Sequence, residues 1–347
     1  MSSVTMRIVK RPTITDVART AGVSLGSVSH VLNGTTKVST ALRAKVEAAV
    51  QALGYEHNML AHAQRRQRSP VVGLSVPHVA SAYLAALIDS FEEIAAVRGY
   101  QLMQVLTRRD PEVELRRVRE LLRHRVAGLL LVPTVDPSAT LELIAASGTP
   151  AVLIDRPSGD GRFDEVTFDN HRIMTEAVSQ LIGLGHYRIL FIVEARKLSI
   201  SRQRIAALHE RAAAAVPQVD VFVMEVGDDP AAYAQRLTQM LEEPRDPIAV
   251  IVSNSVVASR TLRVLQTMGK DYPGRISLLA FEEPDWAELT SPQLSVIRQP
   301  VHGIAREAWE LLLRRMHGEH SPVQHLELRA EITLRGSVRK VTRKPSR

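Results

Sequence analysis

The chain of 347 residues contains no cysteine. That excludes disulfide frameworks and thiolate metal sites together, and it fits a reducing compartment. No apolar run approaches the roughly 18 residues a membrane-spanning helix needs. The first residues lack the apolar core of a secretory leader, so a soluble, cytoplasmic protein with no membrane partner is expected. There is no phosphate-cradling G-x-x-x-x-G-K-[ST], and Gly183-Leu184-Gly185-His186 falls at a helix end rather than after a strand. The twelve histidines show no paired metal-ligand spacing beside acids. No metal, cofactor or enzymatic activity is therefore expected, and His186 reads as structural. The C-terminal region lacks a heptad series, which gives no sign of assembly beyond a dimer.

What is present is unevenly distributed. The formal net charge is +7, and residues 1–68 carry all of it, with ten Lys or Arg against three Asp or Glu. Residues 339–347 add five basic residues and no acid, which leaves residues 69–338 at −5, from 29 basic against 34 acidic. A basic module on a mildly acidic body is the pattern expected when one part meets phosphates. The tail at 339–347 reads more simply as a solvated, disordered end.

The basic part opens on TITDVARTAGVSLGSVSHVLN, from Thr13 to Asn33. Thr13 and Asp16 have the spacing of a helix start, and Ile14, Val17, Ala18 and Ala21 the spacing of one apolar face. Gly22 permits a tight turn, and Ser24 caps a second helix running to about Leu32. Val28, Val31 and Leu32 face inward, leaving Leu25, Gly26, Ser27, Ser29 and His30 at the surface. This is a helix-turn-helix, whose second helix is sized for the major groove; an ordinary helical hairpin in a core is the plainer alternative. A third helix follows, capped by Ser39, with Leu42, Val46, Ala49 and Leu53 on one face and Gly54 at its end. The segment from His57 to Arg66 is short, basic and weakly amphipathic, and is expected to order only when bound.

From Val71 the pattern changes to strands alternating with helices. VVGLSV, QLMQVL, GLLLV and AVLI form one series, and RILFI, VDVFVM, IAVIV and ISLLAF a second. Two doubly wound lobes are implied, with ligands expected at the carboxyl ends of the strands. The expected organisation is a headpiece at 1–56, a hinge at 57–69, a body at 70–338 and a basic tail at 339–347. Within the body, lobe 1 takes about 70–168 plus 298–322, and lobe 2 about 169–297 plus 323–338.

These residues resemble the lactose-repressor (LacI/GalR) family of bacterial transcription regulators. The likeness is strongest from Thr13 to Asn33 and continues through Val38-Ser39 and Leu53-Gly54-Tyr55 to Asn58. It returns at Asp169-Asn170, at Gly185-His186, at Asn254 and at Ser295-Val296-Ile297-Arg298-Gln299-Pro300. It implies an all-α headpiece, a hinge helix and a periplasmic-binding-protein-like α/β body, acting as a homodimer on a near-palindromic double-stranded DNA operator. The DNA-binding residues it implies are Thr13, Ser24, Leu25, Gly26, Ser27, Ser29, His30, Asn33 and Lys37 in the headpiece, with Asn58, Leu60, Ala61 and Gln64 in the hinge. His30 stands where the family often has Arg, and Gly26 removes a side chain that usually reads a base. Gln64 replaces the apolar leucine that wedges into the minor groove, and His57 replaces a proline.

The resemblance also implies a small, sugar-like effector between the lobes, held by Tyr83, Asp155, Arg204, Asn254, Glu282 and Trp286. Glu282 stands where the family prefers Asp, and Ser255 replaces the usual Asp after Asn254. The expected function is a repressor whose operator affinity an effector modulates. The alternative is a DNA-binding regulator of the same fold that has lost its small-molecule response.

Overall fold

The computed structural model describes residues 12–32, 38–55, 70–242, 247–269 and 272–341. The chain divides into two compact units, Met1–Arg68 and Ser69–Arg347.

The first unit holds α1 (Ile14–Ala21), α2 (Leu25–Leu32) and α3 (Thr40–Leu53). Val17, Ala18, Val28, Val31, Val46 and Ala49 form its small buried core, so each helix contributes the face its apolar spacing predicts. Each begins on a hydroxyl. Thr13 and Asp16 form a reciprocal capping box on α1, and Ser39 accepts from the Leu42 amide at the start of α3.

The second unit begins with β1 (Val71–Val76), α4 (Ala82–Arg98), β2 (Gln101–Leu106), α5 (Pro111–Arg123), β3 (Gly128–Leu131), α6 (Ser138–Ser147), β4 (Ala151–Ile154) and β5 (Asp164–Phe168). A second series follows: α7 (Asn170–Gly183), β6 (Arg188–Val193), α8 (Ser199–Ala213), β7 (Asp220–Glu225), α9 (Pro230–Glu242), β8 (Ile248–Val252), α10 (Ser255–Thr267), β9 (Ile276–Phe281) and β10 (Ser295–Arg298). Last come α11 (Val301–Met316), β11 (His325–Leu328) and β12 (Glu331–Thr333). The sheets are ordered β11-β5-β4-β3-β1-β2 and β12-β10-β9-β8-β6-β7. All their pairings are parallel except β12 against β10. Both lobes thus repeat one doubly wound order, in which the first strand lies between the second and the third.

The central strands are buried on both faces, as runs such as RILFIV and ISLLAF require. The chain crosses between lobes three times, at Phe168–Asn170, Arg298–Val301 and Leu328–Glu331. The last crossing falls later than expected. Residues 323–328 belong to lobe 1, because His325–Leu328 pairs with Glu165–Phe168, and only the residues from Glu331 return to lobe 2.

The start of the tail also departs from expectation. The Val341 amide donates to the Leu184 carbonyl at 2.8 Å, and the Arg339 amide to Ser277 Oγ at 3.1 Å. His186, 1% exposed, uses Nε2 to donate to the Arg339 carbonyl at 3.0 Å. Gly185 (φ +90°) makes the close approach possible, since a Cβ there would stand 2.9 Å from the Val341 carbonyl oxygen. Residues 339–341 are therefore anchored to lobe 2; residues 342–347 lie outside the described part.

Candidate DNA-reading helix and interlobe site

The turn of the first unit is set by local hydrogen bonding. The Thr13 amide donates to Asp16 Oδ2 at 2.9 Å, and the Asp16 amide to Thr13 Oγ1 at 3.4 Å. Gly22 adopts φ +65°, and the Val23 amide returns to the Ala18 carbonyl at 3.1 Å. That left-handed residue ends α1 and starts the chain toward α2. Ser24 Oγ accepts from the Ser27 amide at 3.1 Å and pairs with Ser27 Oγ at 2.9 Å. Val28 and Val31 turn inward, which leaves Ser24, Leu25, Gly26 and His30 exposed and Ser27 and Ser29 half-buried. Leu25 keeps 44% of its surface, an unusual exposure for a leucine. The face Leu25-Gly26-Ser29-His30 follows from i, i+4 spacing, since Leu25 and Ser29 stack one turn apart, as do Gly26 and His30. Asn33, Lys37, Asn58, Leu60, Ala61 and Gln64, also expected at DNA, lie outside the described residues.

The second site forms where strands of both lobes end. Within three residues of the ends of β1, β2, β4, β6, β8, β9 and β10 come His78, Arg109, Asp155-Arg156, Glu194, Ser253-Asn254, Glu282 and Gln299. All but Arg109 line one cavity, together with Tyr83 and Arg204. This is the carboxyl-end crevice that doubly wound sheets offer to ligands, here closed by two sheets facing each other. Its free volume is only about 30 Å³, room for a water or two.

Arg204 lies at the centre of the site, 2% exposed on α8. Its Nε donates to Asn170 Oδ1 at 2.7 Å and its Nη1 to the Ser253 carbonyl at 3.2 Å. The guanidinium sits 3.6 Å from the Phe281 ring centroid, a cation–π stack. Burial pushes its pKa down to about 10, against the opposing pull of Asp155 and Glu282, so it stays charged at neutral pH. Burial raises both of those carboxyls as well, most strongly opposed by Arg156 for Asp155 and by Ser255 for Glu282. Asp155 and Glu282 have φ of 66° and 74°, a left-handed backbone that costs energy for any residue with a Cβ. Asn254 caps α10, its Oδ1 accepting from the Val257 amide at 2.9 Å.

Among the described residues, polar contacts join the lobes around Glu282 and around Glu194. Glu282, at the end of β9 in lobe 2, accepts from Ser81 Oγ of lobe 1 at 2.8 Å and from the Tyr83 amide at 3.4 Å. Arg109 of lobe 1 pairs with Glu194 of lobe 2, and His78 Nε2 stands 3.8 Å from the same carboxylate. Burial and the charge of Arg109 push His78 down to about 4, so it is neutral at pH 7. Beyond Glu194 and Asn254 lies a second, roomier cavity of about 340 Å³, bordered by Arg109, Asp228 and Arg260.

Comparison with known proteins decides the assignment. Residues 13–58 match the family described as bacterial regulatory proteins, lacI family, and residues 178–338 match a periplasmic binding protein-like domain. The HTH-type transcriptional regulator GalR of Escherichia coli (strain K12) is 30% identical over 304 residues, spanning 87% of this chain and 88% of that protein. The chain belongs to the lacI family of bacterial regulatory proteins.

Other LacI-family relatives cover the chain almost end to end. The HTH-type transcriptional regulator KdgR of Bacillus subtilis (strain 168) is 28% identical over 331 residues, 94% of this chain and 97% of that one. Among solved structures, the lac repressor dimer bound to operator and the anti-inducer ONPF superposes with a TM-score of 0.83. It is 25% identical, with 95% of this chain and 100% of that chain covered. The protein is accordingly a DNA-binding, HTH-type transcriptional regulator, with its two-lobed α/β body of the periplasmic-binding-protein type.

Of the effector residues expected for such a LacI-family body, Tyr83, Asp155, Arg204, Asn254 and Glu282 line the same cavity. Trp286 does not. It lies on the short 3-10 turn Asp285–Glu288, half-buried against the apolar core of lobe 2, which satisfies the ring without a ligand. Sequence reasoning missed Ser81, His78, Glu194 and Arg109. Two of them, His78 and Glu194, could have been found by taking the first polar residue after each expected strand; Arg109, behind Thr107 and Arg108, and Ser81, a helix cap, carry no such mark. No helix among the described residues is long and apolar enough to cross a membrane.

Proposed function

We propose that this regulator is a repressor, acting in the cytoplasm as a homodimer on a near-palindromic operator, with its operator affinity set by a small polar effector held between the lobes. One headpiece offers few base-reading side chains, so two half-sites supply the specificity that one cannot. Leu25, Gly26, Ser29 and His30 are the groove-facing positions, with Ser24 and Ser27 near the phosphates. Leu25 suits a thymine methyl, and His30 a single base-edge contact where Arg would make two. The related lac repressor, solved as a dimer with operator and an anti-inducer, supports the dimer and the operator, and the related CelR was solved with cellobiose.

The observation that carries the effector reading is the convergence of Asp155, Arg204, Asn254, Glu282 and Tyr83 from both lobes on one cavity. An effector acts there through its unequal affinity for two lobe arrangements, which alters the placement of the two headpieces. The chain itself performs no chemistry on this reading. Thermal-shift screening of mono- and disaccharides tests it: at least one should raise the melting temperature of the wild-type chain, and Arg204→Ala should abolish that rise. The second reading, a regulator with no small-molecule response, is favoured by the small free volume of the cleft. It prevails if no compound stabilises the protein.

A further inference from the structure

Glu282 occupies a position that the rest of the cleft is built to fill with an anion. Its Oε1 accepts from Ser81 Oγ at 2.8 Å; its Oε2 accepts from Ser255 Oγ at 2.6 Å, the Ser255 amide at 3.1 Å and the Tyr83 amide at 3.4 Å. Each hydroxyl also accepts from a backbone amide. Ser81 Oγ already accepts from the Leu84 amide at 3.2 Å, and Ser255 Oγ from the Ala82 amide at 3.0 Å. Both hydroxyls therefore present their hydrogens to the carboxylate. The donors belong to the first turns of α4 in lobe 1 and α10 in lobe 2, so two helix dipoles meet at one charge.

Glu282 is 4% exposed, and its left-handed φ of 74° is a strain the contacts must hold in place. A separate observation points to a ligand site as well. Ser253, 9% exposed, lines the same cavity, and its Oγ has no hydrogen-bond partner.

We infer that Glu282 is a resident ligand: its carboxylate fills a carboxylate-binding cradle to which both lobes contribute donors. The cradle is a site for a small monocarboxylate, taken in cis by the protein's own side chain. An added carboxylate finds the cradle occupied in the wild-type chain and open when Glu282 is removed. Any movement that separates the lobes must first draw Glu282 away from Ser81 and Tyr83. The cradle stands independently of the effector reading above, and the test below uses no effector.

Hydrogen exchange on the full chain tests this with three proteins: wild type, Glu282→Gly and Glu282→Gln. Glycine accepts the positive φ without strain, so Glu282→Gly removes the carboxylate and leaves the backbone free to stay. In Glu282→Gly, the segments covering 81–84 and 254–257 should exchange faster by on the order of tenfold. Unchanged protection of 128–131 and 248–252 shows that the variant is folded. Millimolar sodium acetate should restore protection in Glu282→Gly, while acetamide and sodium chloride should not, and the wild-type chain should ignore all three. Glu282→Gln, which turns an amide NH₂ toward N–H donors, should show intermediate exchange and no response to acetate. Exchange in Glu282→Gly as slow as in the wild-type chain would overturn the inference. So would acetate and acetamide acting alike.

Discussion

Arg204 enters the cleft as a buried cation, with Asp155 and Glu282 both acting on its charge and Phe281 beneath its plane. Removing it leaves the buried Asn170 Oδ1 and the Ser253 carbonyl without their donor and uncovers the Phe281 ring, so Arg204→Ala should destabilise the body by about 2–5 kcal/mol in urea unfolding. Arg204→Lys should recover only part of that, because an ammonium cannot keep the fork to Asn170 and Ser253 while stacking on the ring. Glu114 is a buried acid of a different kind. Burial pushes it up to about 7, and it accepts from the Thr134 amide at 2.8 Å and Thr134 Oγ1 at 3.0 Å. Its folded pKa lies above the unfolded one, so its contribution is full below about 4.5 and lost as pH rises through 7. Glu114→Gln should flatten the fall in stability across that window, a change of at most ~3 kcal/mol. His78 has the opposite sign: pushed down to about 4, it contributes above 6.5 and loses that contribution as pH falls. Arg204 and Asn254 were legible in the sequence because they stand in recognisable motifs. Ser81 was not, since its role depends on Glu282, 201 positions away.

Helix caps were the most legible feature among the elements. Thr13, Ser24 and Ser39 announce their helices locally, and the structure places each hydroxyl on the amide the spacing implied. Thr13→Ala should cost about 1 kcal/mol of headpiece stability in thermal unfolding. Gly22→Ala should cost a similar amount by forcing a Cβ into φ +65°. Strands whose reason is distant were not legible. DEVTF, β5, opens with two acids and gives no apolar run, yet all its residues are buried. Asp164 is held there by Arg315, at 2.7 and 2.8 Å, and by the Gln324 amide at 2.8 Å. Those same contacts bring β11 alongside β5, which is why 325–328 belongs to lobe 1. A lobe boundary set by side chains some 150 residues apart leaves no periodicity to read. The exposed face of α2 is the opposite case, short and self-contained. Substituting Leu25 or His30 by Ala should change the half-site selected from random duplexes and leave the melting temperature of the headpiece nearly unchanged.

At the scale of the whole molecule, the charge division carries the argument. A net +7 on residues 1–68 assigns phosphate contact to the first unit, and the −5 of residues 69–338 leaves the body free for regulation. Affinity that rests on phosphates falls steeply with salt, because bound counterions are released on association. The two compact units, each with a core of its own, make a division of labour testable by removing one. Selection from a random duplex pool, run at two salt concentrations with the full chain and with a chain lacking residues 1–68, addresses the central claim. The full chain should enrich a two-fold symmetric site, bound more weakly at the higher salt, and the shortened chain should enrich nothing. Enrichment of the same site by the shortened chain, or of no site by the full chain, would contradict the account.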